Sequence, residues 1–220
     1  MKNLFILLSL FVFSITNGQD RYGNAQNSVF DNNMEFFSMA KVKNKTNTNF
    51  IQGVEGTIYL NKQWNKCQLY SSKENSNFSA PCNYNVYADQ FEIKIENDQY
   101  ILRPESMALI RMGRQMFKPS NSSTDNSYFE LLADGKTVKI VRLYNAKIMA
   151  VQTHTLGLYE QKLVINNVDY FLMNDGELIK IPSSKSKIFD ILNLTDEQRK
   201  VFKKYNLRKT DNIIDMVESL

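Results

Sequence analysis

Phe91-Glu92-Ile93-Lys94-Ile95-Glu96-Asn97-Asp98-Gln99-Tyr100-Ile101-Leu102-Arg103 decides the fold class. Apolar and charged residues alternate strictly over the first six positions. Period-2 alternation predicts a strand with one buried and one wet face. Asn97-Asp98 then predicts a two-residue turn, because both residues tolerate positive φ. Residues 99–103 return as the partner strand, and Pro104 ends it.

The same device recurs along the chain. Residues 128–133 and 136–144 flank Asp134-Gly135, a strong hairpin signal. Residues 163–165 and 168–173 flank Asn166-Asn167. Residues 168–173 and 177–181 flank Asn174-Asp175-Gly176. Upstream, Val54, Gly56, Ile58 and Leu60 fall on one strand face. Residues 119–127 read as a polar loop. Residues 146–156 read either as an exposed connection or as an irregular strand. Consecutive hairpins without an intervening helical period predict an antiparallel meander. So many short strands predict a strongly twisted sheet that curls into an open barrel or splits into two layers. The 25 asparagines are then partly turn punctuation.

After Pro182 the period becomes helical. Ile188, Phe189, Ile191 and Leu192 make an apolar stripe. Thr195 with Gln198 three residues later predicts a capping box. Thr210 is read as the cap of a last helix with Ile213, Ile214, Met216 and Val217 inward. The expected class is α+β, mostly β: a meander over residues 53–182, then two or three short helices packed on it over residues 183–220.

Residues 1–18 read as a secretory signal peptide. Lys2 supplies the positive start, residues 4–15 the apolar run, and Thr16 and Gly18 the small residues before cleavage. The run is too short to span a bilayer. Residues 19–52 form a polar, Asn-rich arm. Its one apolar patch is residues 34–39, and residues 41–49 look like a linker. Export to the periplasm or beyond is the expectation, with no transmembrane span.

Export changes the reading of the two cysteines. In an oxidising compartment Cys67 and Cys82 are a disulfide candidate. Two buried thiols or a reactive thiol are the alternatives. The formal net charge of +4 falls to +3 once residues 1–18, with Lys2 their only charge, are removed, which is too small to imply a nucleic-acid partner.

Chemistry-bearing patterns are scarce. The sequence has no phosphate-cradling glycine loop, no H-E-x-x-H, no G-x-S-x-G and no C-x-x-C. Its single histidine, His154, sits in a polar stretch and reads as a surface residue rather than a base. Two cysteines and one distant histidine do not make a zinc set, and no cofactor is expected. Asp89, Glu92, Asp175 and Glu177 lie at strand ends and turns; two such carboxylates facing each other across a cleft would suit a hydrolase. Tyr84, Tyr87, Tyr100, Tyr128 and Tyr144 are expected as core or cross-strand residues. Arg199, Lys200, Lys203, Lys204, Arg208 and Lys209 form a basic cluster, either a solvated helix face or a contact for an anionic partner.

Three blocks carry a resemblance. Gly56-Thr57-Ile58-Tyr59-Leu60-Asn61 followed by Trp64 resembles a G-S-P-Y-L-N…F/W block, with Thr-Ile in place of Ser-Pro. Residues 84–92 (YNVYADQFE) resemble a Y-N-x-Y-x-D-x-x-E block. Residues 175–180 (DGELIK) resemble a D-G-E-L-I-K block ahead of C-terminal helices. Together they resemble an uncharacterised family of exported proteins of Bacteroidota-type bacteria. The resemblance implies export and a β-meander followed by helices. It implies no catalytic residue.

The expected function is a non-catalytic, exported envelope protein with a binding or structural role. The alternatives are a carrier of a small apolar ligand inside a partly closed barrel and a carboxylate-based hydrolase. Its partner would be an envelope protein or that apolar ligand.

Overall fold

The computed structural model describes residues 39–42, 51, 53–73, 76–120, 126–152 and 158–220. Twelve strands form one open, largely antiparallel sheet, and three short helices follow it. The first strands are β1 (Met39–Lys41), β2 (Val54–Glu55), β3 (Asn65–Ser71), β4 (Asn77–Asn85), β5 (Gln90–Ile95) and β6 (Asp98–Leu102). A 3-10 turn leads into β7 (Met107–Met112), β8 (Gln115–Pro119) and β9 (Tyr128–Asp134). Then come β10 (Val138–Gln152), β11 (Tyr159–Met173) and β12 (Leu178–Lys180). The helices are α1 (Lys185–Ile191), α2 (Asp196–Phe202) and α3 (Thr210–Glu218).

The topology is two meanders joined side by side. Strands β3 to β6 follow one another, β7 to β12 follow one another, and β3 pairs with β7. β1 extends the sheet beyond β6, while β2 runs parallel to β11 at Gln161 and Lys162.

The sheet bends back on itself around aromatic residues. Tyr84 of β4 and Phe91 of β5 stack at 4.9 Å between ring centroids. Phe91 lies 5.0 Å from Phe117 of β8 and 5.0 Å from Tyr128 of β9. The Tyr128 hydroxyl donates to the Leu102 carbonyl, tying β9 to β6 across the bend. These rings are essentially inaccessible, so side chains fill the interior. Cys67 and Cys82 belong to the same core, joined as a disulfide between adjacent strands β3 and β4 with a Cα–Cα separation of 5.7 Å.

A second core lies under the helices. Ile140 and Phe171 of the sheet meet Ile188, Phe189, Phe202, Ile213 and Met216. Thr195 accepts from the Gln198 amide N–H, and the Gln198 side chain accepts from the Thr195 N–H, so the expected capping box is present. On the other face of β9 and β10, Phe129, Leu131, Val141 and Leu143 form a third cluster.

Several local readings are corrected. The hairpin after β5 turns at Glu96-Asn97, with Ile95 opposite Asp98 and Glu96 at φ 52°. A two-residue register shift leaves Phe91, Ile93, Tyr100 and Leu102 on one face, so the hydrophobic pattern cannot distinguish the two registers. The observed register is held by Gln99 of β6 donating to Glu92 of β5. Glu92 itself, expected on a wet face, is buried. Asn166-Asn167 is no turn: both residues sit inside β11, opposite Asn145 and Tyr144 of β10. A fifteen-residue partner strand overrides the local turn preference there. Residues 146–152 are accordingly strand. Only residues 54–55 of the expected first β segment are strand, and residues 57–64 pack as an irregular segment on β4 and β5. Lys41, read as linker, lies in β1. Lys209, not Thr210, occupies the cap position of α3, and the Thr210 hydroxyl donates to Asp169. The sheet also contains the hairpins β3–β4 and β7–β8, the latter turning at Gly113-Arg114 with Gly113 at φ 62°. The signal peptide, most of the N-terminal arm and His154 lie outside the described residues.

Candidate anion-binding groove

Helices α1 and α2 are joined by a short turn, and a shallow groove of about 450 Å³ runs along them. Lys185, Arg199, Lys200 and Lys203 supply its positive charge, Asp196 one negative charge, and Phe189 its apolar floor. The Lys185 ammonium donates to the Lys203 carbonyl at 2.8 Å, tying the two helices together at one end. Arg199 is held more firmly. Its Nε donates to the Leu194 carbonyl, and its other arm pairs with Asp190 at 3.0 Å. Lys200 and Lys203 make no ion pair among the described residues, so their charge is available to a ligand.

The basic cluster read from sequence is therefore divided. Arg199, Lys200 and Lys203 come together in the groove. Lys204 turns toward the Tyr205 ring, 5.9 Å from its centroid. Arg208 lines a different groove, of about 400 Å³, beside Asp169, Lys180 and Thr210. Lys209 is an exposed residue at the start of α3. Lys185 was missed because it belongs to another helix, and charge clustering along the chain carries no signal for it.

The acids tell a different story. Glu92 accepts from Tyr59 Oη at 2.6 Å, from Asn85 Nδ2 at 2.8 Å, from Gln90 Nε2 at 2.8 Å and from Gln99 Nε2. Four donors satisfy the two oxygens of a carboxylate. Irregular residues 57–64 form the lid over this cluster. Asn61 and Asn83 exchange bonds beside it, and Lys94 sits 4.2 Å from the centroid of Trp64. Residues 59–61 and residues 83–92 thus meet in one hydrogen-bonded unit. Asp89 accepts from the Tyr84 hydroxyl and the Ser127 N–H. Glu130 accepts from Gln115 and from the Tyr144 hydroxyl. Asp175 accepts from the Glu177 N–H within its own turn.

A general base needs a lone pair facing its substrate. The Glu92 oxygens are saturated, and both oxygens of Asp89 and of Glu130 are engaged. Burial pushes the phenols of Tyr84, Tyr128 and Tyr144 above their usual range, aided by Asp89 for Tyr84 and Glu130 for Tyr144. At neutral pH they are hydrogen-bond donors, Tyr84 to Asp89, Tyr144 to Glu130 and Tyr128 to the Leu102 carbonyl, not proton carriers. No group of three or more metal-binding side chains occurs among the described residues. No described helix is long and apolar enough to cross a membrane. No family model, curated protein or solved structure matches the chain.

Proposed function

We propose that this is an exported, non-catalytic protein of the cell envelope that holds an acidic segment of a partner protein in the α1–α2 groove. The carrying observation is the convergence of Lys185, Arg199, Lys200 and Lys203 around the Phe189 side chain. Cations beside an aromatic floor suit a peptide with carboxylates and an apolar side chain better than a bare phosphate. The signal-peptide reading and the disulfide both favour an oxidising compartment. Kinship with the exported family suggested by the sequence blocks fits the same address. An interior carrier has less support, since rings fill the bend of the sheet, and a hydrolase has less because the buried acids are engaged.

The test is binding of a fluorescent peptide of alternating Glu and Leu to the full chain. Binding should weaken steadily as salt rises from about 50 mM to about 500 mM, as screening requires. Lys200→Glu/Lys203→Glu should abolish it without changing the melting temperature. Failure to bind at low salt, or an unchanged affinity in the double variant, would refute the reading.

A further inference from the structure

A second groove of similar volume lies elsewhere, on the sheet face that carries the third apolar cluster. Its volume is about 460 Å³, within the roughly 300–1,000 Å³ typical of small-molecule sites. The strand register puts its walls on one face. Lys118 stands opposite Phe129, Lys139 opposite Leu172, and Leu172 opposite Leu178. Ala108 closes one end from β7, and the β11–β12 turn closes the other. Most of this lining is apolar, and its two charged members are both lysines.

Those lysines share one acid. Lys139 pairs with Asp134, and Lys118 lies 3.8 Å from the same carboxylate. The Lys139 ammonium, by its hydrogen bond, holds the Asp134 carboxyl below its usual range, so this acid stays ionised at neutral pH. One carboxylate against two ammonium groups leaves one positive charge at the rim of an apolar trough. A purely apolar ligand would leave that charge unused, and a cationic amphiphile would be repelled.

The geometry points to a binding site for a single-chain anionic amphiphile, its alkyl chain along Phe129, Leu172 and Leu178 and its carboxylate at Lys118 and Lys139. The inference is independent of the acidic-partner reading, because the two grooves share no residue.

Dodecanoate, dodecan-1-ol and dodecyltrimethylammonium, titrated below their micellar concentrations into the full chain, separate the possibilities. Dodecanoate should bind saturably, one per chain, and about tenfold more tightly than dodecan-1-ol, the ratio one charge-assisted hydrogen bond supplies. The cation should bind weakest. Lys118→Gln/Lys139→Gln, which leaves the Asp134 carboxylate unopposed, should bring dodecanoate to or below the affinity of the alcohol. Ala108 is exposed, so Ala108→Trp should fill the trough without disturbing the core and weaken both dodecanoate and the alcohol. Absence of saturable dodecanoate binding, equal affinity for all three probes, or binding only to vesicles containing the fatty acid would each overturn the inference. So would undiminished binding in a folded Ala108→Trp protein.

Discussion

At Glu92, four neutral donors converge on one buried carboxylate. Glu92→Gln keeps the shape and turns an acceptor oxygen into a donor amide. Two of the four donors then face another donor. Loss of hydrogen bonds to a charged group predicts a destabilisation of about 2–3 kcal/mol, read from urea midpoints. Glu177→Gln, on an exposed turn, should stay within about 0.5 kcal/mol of the parent. The buried tyrosines set the alkaline limit. Tyr84, Tyr128 and Tyr144 all resist ionisation in the fold, above all through burial. An unfolded tyrosine ionises near pH 10, so the stability they confer is complete below about pH 10. Above it the unfolded chain releases protons that the folded chain keeps. Stability should fall by about 1.4 kcal/mol per pH unit for each such residue. Tyrosinate absorbance should show these three ionising only as the fold is lost. None of this residue-level detail was legible in the alternation at residues 91–96, because a period of 2 cannot tell a wet face from one roofed by an irregular segment.

The helix caps and hairpin turns show where element-scale reading succeeds and where it fails. The Thr195–Gln198 box was legible because it is local, with both partners within one turn of helix. Thr195→Ala should cost about 1 kcal/mol in a thermal or urea melt. Asp134-Gly135 marked a hairpin correctly, but the glycine serves a different purpose. A Cβ there would stand 2.7 Å from the Val138 carbonyl and 2.7 Å from a Val217 methyl. The loop is pressed against α3, and only a residue without a side chain fits. Gly135→Ala should cost about 1–3 kcal/mol by overpacking, and crystallography of the variant should show α3 displaced from the loop. Asn166-Asn167 misled because turn preference is weak beside a continuous partner strand. Its exposed side chains are indifferent to either conformation, while Ile165 and Phe171 on either side pack against different cores.

The whole molecule is a bent sheet with a disulfide-bearing aromatic core shared by both meanders and a second core where the helices cover β9 to β11. The sheet class, the trailing helices and the Cys67–Cys82 pair were all readable, since each rests on periodicity or on a count. The α1–α2 groove was only half readable. Arg199, Lys200 and Lys203 are neighbours in sequence, but Lys185 joins them only when α1 folds beside α2. Replacing both cysteines with alanine should cost about 3 kcal/mol from loop entropy for their separation of 15 residues. The loss should appear equally in wild-type protein melted with reductant. The β10–β11 pair carries a further consequence. Its base, Val138 to Tyr144, is buried between other elements, whereas Lys147 to Gln152 is exposed and β9 accompanies β10 only as far as Arg142. One hairpin therefore contains both extremes of amide protection. Hydrogen exchange at its outer half should proceed by local fraying from the tip, independent of denaturant, while exchange at its base should require opening of the entire molecule.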